Sequence, residues 1–217
     1  MTPDAQRALV AAEKPELRIL PTGELNAETP AHLLDDDITP VGRLFARNTG
    51  TMPAPTAAEI ANWTLAIDGR VRSPQRWTIG ALQQEFATVT RIAVLECAGN
   101  GRAFFPEPAG TVLWHHGAAG CVAWTGVRLG DLLRRCELLP DAVYTGHHSP
   151  DMRFDGRGPA ISRGLPIAKA RAPAPAVRIS GRLGSCARIS RYMSSKSGSS
   201  SASRILGRLS IVSGVNR

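Results

Sequence analysis

LECAGNGRAFF, residues 95–105, sets one cysteine where a β-branched apolar run gives way to a turn of almost bare backbone. The preceding run, ATVTRIAVLE (87–96), is rich in Val, Ile and Thr and predicts a largely buried strand. Ala98-Gly99-Asn100-Gly101 then supplies a turn with little side-chain bulk, so a large ligand can approach the main chain closely. Two readings of Cys97 stand side by side. Free cysteine is among the most buried residue types and usually only packs. A soft thiolate on an uncrowded turn also suits a soft or high-valent metal better than Mg²⁺ or Ca²⁺. Arg102, further along the same stretch, can attract an anion. GNGR is no phosphate loop, because the GxGxxG and GKS/T patterns are absent.

The 217 residues allow one domain with a real core, or one domain plus tails. No apolar run is long enough for a spanning helix. The opening residues carry neither a secretory signal nor a twin-arginine pair, which favours the cytoplasm and leaves the periplasm open. Cys97, Cys121, Cys136 and Cys186 share no CxxC-like spacing, arguing against a zinc site and a disulfide framework. The net charge of +8 is local: residues 171–217 hold nine Lys/Arg and no Asp/Glu, against 17 basic and 18 acidic residues in 1–170. Twelve of the fifteen serines also fall in that last stretch. Such a break in composition marks a boundary.

Along the chain, residues 1–40 are Pro-rich, acidic around LLDDDITP, and read as an irregular N-terminal extension. VGRLFARNTGTMP (41–53) reads as a loop. NWTLAIDGRV alternates Trp63, Leu65 and Ile67 and turns at Asp68-Gly69, a hairpin signal. SPQRWTIGALQQEF predicts a short helix capped by Thr78, with Ile79, Leu82 and Phe86 on its apolar side. GVRLGDLLRRCELL repeats Leu129, Leu132, Leu133 and Cys136 at helical spacing. AVYTGHH predicts a strand and GLPIAKARA a short helix with Pro166 near its start. Strands and short helices without a βαβ period make an α+β fold.

Arg47, in FARNTG, is either a solvated surface arginine or a guanidinium placed to bind a tetrahedral oxyanion through paired hydrogen bonds. His115-His116 and His147-His148 are adjacent pairs, and neighbours in a strand point to opposite faces, so neither pair offers two ligands to one ion. Trp114 and Trp124 read as core or pocket wall, and Arg163 as surface.

Taken together and in order, FARN (45–48), WTLAIDGRV, CAGNGR (97–102), GVRLGDLL (126–133) and ISRGLPIAKA (161–170) resemble the molybdenum-cofactor domain of the sulfite oxidase family. The likeness runs from about residue 41 to 170 and implies a mixed-sheet molybdopterin-binding fold, partial over 41–170 and incomplete beyond. It implies a molybdenum-molybdopterin (pyranopterin) cofactor with Cys97 as the one protein ligand to the metal. Arg102 and Arg47 match substrate-pocket arginines; Phe45, Ala46, Arg47, Asn48 and Thr49 match the loop along the pterin. The implied chemistry is a two-electron oxygen-atom transfer on a small anionic or sulfur-containing substrate, with an unknown electron acceptor such as a cytochrome.

The chain departs from the family in places. Thr49 stands where relatives commonly carry His, and TGHH stands for EGxD, putting His148 at a pterin-contacting acid. After LPIAKA, relatives continue with an MNG turn, then HGxPxR, whose His and Arg grip the cofactor phosphate, and a dimerisation domain often follows; the residues after 170 match none of this. A reading-frame shift near 171–178 is one explanation, since codons for GSCARISRY (184–192) can encode a family-like VRAPGYPG one base out of frame. The other is a disordered or lineage-specific tail. Weak cofactor retention and little turnover are expected either way. The alternative function is a non-catalytic relative serving as an interaction module. Nucleic-acid binding by the tail is disfavoured, because Tyr192 is its one aromatic and base stacking is scarcely available.

Overall fold

Threonine opens the first three α-helices of the chain. The computed structural model describes residues 2–50, 56–106, 112–148, 152–157 and 162–172, and by backbone alone residues 176–178 and 206–213. In it Thr2, Thr56 and Thr78 sit in extended backbone, and each side chain accepts a main-chain N–H from the turn that follows. They start α1 (Pro3–Glu13), α2 (Ala57–Ala61) and α3 (Ile79–Glu85). Thr56 and Glu59 form a reciprocal capping box on α2. The chain divides into two units, one drawn from Met1–Ala54 and Arg91–Trp124, the other from Pro55–Thr90, Thr125–Ser180 and Met193–Arg217.

In the first unit, α1 turns Gln6, Val10 and Lys14 to one buried face, four residues apart. Behind it, β1 (Arg18–Ile19), β2 (Asn26–Glu28) and β3 (Ala46–Arg47) form an antiparallel sheet in that order, with Asn26 opposite Arg47. Residues 1–40 are therefore not an irregular extension. The signal was hidden because Gln6 and the C-cap residue Lys14 are polar yet buried, and strands of two or three residues are too short to show a period. Arg47 likewise lies in a strand where a loop was expected. One cluster gathers Val10, Leu17, Leu25, Ala27 and Ala46; a second gathers Leu20, Leu44, Phe45, Val112, Trp114, Ala118 and Val122.

The second unit is built on a five-stranded sheet of β4 (Thr64–Gly69), β5 (Gln75–Thr78), β8 (Ala142–His148), β9 (Ser162–Pro166) and β11 (Leu206–Ser213). Its order is β5-β4-β11-β8-β9; β11 runs parallel to β4 and antiparallel to β8. The β4–β5 hairpin follows from Ile67 and the turn at Gly69, whose φ of 87° needs a residue without Cβ. Helix α4 (Leu129–Cys136) buries Leu129, Leu132, Leu133 and Cys136 against Ile67, Trp77 and Leu82, as their spacing predicted. Burial pushes the Cys136 thiol up to about 11. A short α5 (Ile167–Ala170) follows Pro166.

The third sheet has the order β10-β7-β6, from β6 (Thr88–Glu96), β7 (Ala119–Arg128) and β10 (Ala176–Arg178). β6 is the strand its composition predicted, but it is not largely buried: Ile92 and Val94 are 64% and 68% exposed. It is the end strand of its sheet, and β-branched content reports strand preference, not cover. The basic stretch 171–217, expected to be disordered or out of frame, supplies β10 and β11; the rest of it after Ala172 lies outside the described residues.

Two outcomes follow from this packing. Leu132→Ala should destabilise the second unit by about 2–5 kcal/mol, read from denaturant unfolding, because the side chain is fully enclosed. Burial, and secondarily the charge of His148, hold the His147 imidazole below its ordinary value. The folded chain then refuses a proton that the unfolded chain accepts, so stability should fall as pH drops from about 7 to about 5, with no change above that window. His147→Gln should flatten that part of a thermal-midpoint profile against pH.

Candidate functional site

β6 hands over to the turn at Cys97, whose N–H donates to the Ala118 carbonyl at 2.8 Å. Cys97 accepts at its own carbonyl from the Asn100 N–H at 2.8 Å, and Arg102 N–H reaches the Gly99 carbonyl at 3.1 Å. Gly101 takes φ 82° and donates to His115 O at 2.6 Å, while Ala103 donates to Trp114 O at 3.0 Å. The segment 114–118 thus grips the turn through main-chain bonds on both sides of Asn100. The Asn100 side chain completes the grip: Oδ1 accepts from Ala118 N–H at 3.0 Å and Nδ2 donates to Glu96 Oε1 at 3.1 Å.

Within this frame Cys97 is a free thiol, half-buried, packed against the cluster that contains Phe45 and Trp114. Those two rings meet edge to face at 6.0 Å and 80°. The turn is less open than its small residues suggested, because this cluster covers one side of the sulfur. Arg102 folds its guanidinium back over Gly99, so closely that a Cβ there would lie 2.7 Å from Nη2. Its Nη1 donates to the Val112 carbonyl at 3.1 Å. The structure therefore brings Cys97 and Arg102 together on one turn, with Gly99 as the space between.

Arg47, Asn48 and Thr49 follow Phe45 and Ala46 through β3 in the same unit. The Arg47 guanidinium donates to Thr49 Oγ1, a pairing that a histidine at position 49 would not offer in the same form. Asn48 N–H donates to Leu25 O at 2.9 Å. Opposite Arg47, the fully buried Asn26 leaves its Oδ1 without a hydrogen bond. His148 lies on β8 of the second unit, half-buried, beside His147, whose Nε2 sits 2.8 Å from Thr145 Oγ1. Arg163 is exposed on β9, as the sequence suggested.

Several residues of the first unit escaped the sequence reading. Glu28 is buried and receives Arg18 and the His115 N–H, with His115 Nδ1 3.1 Å from its Oε1. These groups, with Phe104 and His116, line a cavity of about 330 Å³. A carboxylate inside NAETP was the available signal, since a buried acid needs partners. Gln6 and Lys14 gave none beyond helical spacing.

Among the described residues no three His, Cys, Asp or Glu side chains converge on a metal position. A metal at Cys97 would draw its remaining ligands from a cofactor. The residues suit one: a free sulfur donor, a guanidinium held over Gly99 on the same turn, a second arginine in the same unit, and an orphaned buried acceptor opposite that second one. No helix among the described residues is long and apolar enough to cross a membrane.

Comparison with known proteins bears on the same residues. The family model "oxidoreductase molybdopterin binding domain" matches residues 51–180. Nitrate reductase [NADH] 1 of Oryza sativa subsp. japonica is 36% identical over 128 residues, covering 57% of this chain and 14% of that protein. Nitrate reductase [NADH] 2 of Arabidopsis thaliana is 36% identical over 118 residues, covering 52% and 12%. The chain thus spans a small part of the curated relatives' length. The crystal structure of the sulfane dehydrogenase SoxCD from Paracoccus pantotrophus shares the fold, with a TM-score of 0.60 at 20% identity over 95% of this chain and 52% of that one. The matched model takes in more than half of the residues, the Cys97 turn among them, and the chain belongs to the oxidoreductase molybdopterin-binding domain family, with a molybdenum-molybdopterin cofactor.

Proposed function

We propose that this domain serves a sulfite oxidase-type reaction, an oxygen-atom transfer on a small oxyanion or sulfur compound, with Cys97 as the protein ligand to molybdenum. The observation that carries this reading is the Cys97 thiol itself, unbonded and half-exposed on a turn whose backbone is fixed from both sides. When bound, the molybdenum cofactor supplies a two-electron exchange of oxygen with the substrate. The protein's part is to fix the sulfur, to hold positive charge near it, and to limit water. Asn100 and segment 114–118 do the first; Arg102, carried over Gly99, does the second; Phe45 and Trp114 close one side. Arg47 and the loop through Thr49 face the pterin in this reading.

The substrate class draws on the relatives' chemistry: nitrate for the plant enzymes and sulfane sulfur for the bacterial one. An oxyanion such as nitrate suits guanidinium groups, which bind anionic oxygen through paired hydrogen bonds. The electron acceptor in this reading is a redox partner such as a cytochrome. The family's phosphate grip follows residue 170, where this sequence has no HGxPxR, so loading below one molybdenum per chain is part of the proposal.

Metal and pterin analysis of the purified chain tests the reading, with X-ray absorption at the molybdenum edge. Cys97→Ser should remove one sulfur scatterer from the metal's shell and abolish turnover of sulfite or nitrate with artificial redox dyes. An unchanged sulfur shell would refute the ligand assignment, and a chain without any pterin would favour an interaction module. Asn100→Ala removes a buried acceptor from the Ala118 N–H and should cost about 1–3 kcal/mol in denaturant unfolding while lowering metal content.

A further inference from the structure

The buried face of α1 is polar where a packing helix is ordinarily apolar. Gln6 and Val10 are fully enclosed and Lys14 is 4% exposed, so an amide and an ammonium group have been taken out of water. Burial of such groups is tolerated where they are hydrogen-bonded. Their bonds go to the segment that carries Arg47. Gln6 Nε2 donates to the Gly50 carbonyl at 3.1 Å, and Gln6 Oε1 accepts from Asn48 Nδ2 at 3.0 Å. Asn48 Nδ2 also donates to Gly50 O at 2.5 Å, closing a ring of three groups. Lys14 Nζ donates to Leu44 O at 2.6 Å. One helix face thus ties both ends of residues 44–50, and between the ties stand Phe45, Arg47 and Thr49.

We infer that Gln6 and Lys14 are positioning residues for the 44–50 segment, holding it in the one arrangement that presents Arg47 toward the cofactor. This rests on the proposed function in one respect, the cofactor-facing role of that segment. The matched family model begins at residue 51 and covers neither α1 nor these residues. An apolar side chain of equal length at position 6 fills the same space. It cannot accept from Asn48 and donate to Gly50 at once, so packing alone does not fix the Asn48 side chain. Lys14 at the other end restrains the turn entering β3, whose two residues pair with β2 over a very short ladder.

The test uses the full chain, with Gln6→Met, Gln6→Glu and Lys14→Met, read by amide hydrogen exchange and by pterin content per chain. In Gln6→Met, exchange at residues 48–50 should rise at least tenfold while α1 and α4 keep their protection, and pterin content should fall several-fold. Gln6→Glu keeps the acceptor for Asn48 and loses the donor to Gly50, so it should lie between. Lys14→Met should loosen residues 44–46 first. Wild-type exchange at 48–50 in Gln6→Met overturns the inference. Should that variant lose α1 as well, Gln6→Glu decides: loosening confined to the loop supports the assignment, and either wild-type protection or joint melting of helix and loop overturns it. A wild type that holds no pterin defeats the functional reading and leaves the exchange result to decide positioning. A wild type and a loop-opened Gln6→Met that load equally leave that reading intact and defeat this one.

Discussion

The hydrogen bond from Cys97 N–H to the Ala118 carbonyl is the fixed point of the first unit. It carries the β6–β7 pairing into the turn and thereby sets where the sulfur stands. Every neighbouring backbone bond, from Gly101 to His115 and from Ala103 to Trp114, depends on that register. A slip of one residue would reverse the side of the sheet on which Cys97 lies and would separate Asn100 Oδ1 from the Ala118 N–H. The site is therefore a property of strand register before it is a property of any side chain.

Close backbone approach makes the register possible. A Cβ at Gly117 would lie 1.9 Å from the Thr29 carbonyl oxygen, and one at Gly120 would lie 2.4 Å from Leu44 Cδ1. Thr29 N–H meets Gly117 O, and Thr39 and Cys121 exchange bonds through N–H, carbonyl and hydroxyl. Thr29 thus lies against Gly117 at a backbone distance only glycine allows. Buried Glu28 adds a polar anchor by holding the His115 backbone as well as its ring.

What could be read from the sequence follows this division of labour. Helices α3, with its threonine cap, and α4, with its apolar stripe, were visible because local signal and burial agree there. The strand before Cys97 was visible too, but not its exposure, since edge position depends on residues far away in the chain. α1 stayed hidden because its buried face is largely polar and its bonds go to a segment thirty or more residues on. Cys97, Arg102 and the FARNT residues were legible as a constellation only through a family likeness, whereas Asn100, Gln6 and Glu28 act through partners that no local pattern reveals. The strand in the basic tail was masked by composition, serine and arginine being read as signs of disorder.

The placement of β11 carries a consequence for how the molecule is made. Its partners are β4 and β8, with Leu206 beside Thr64 and Arg208 beside His148, so the middle strand of the five is the last one synthesised. Until it has been made, the β4–β5 and β8–β9 hairpins each keep an open inner edge. Completion of that sheet is then a long-range event that waits on its last strand in chain order, and it is the step at which a chaperone has the most to protect.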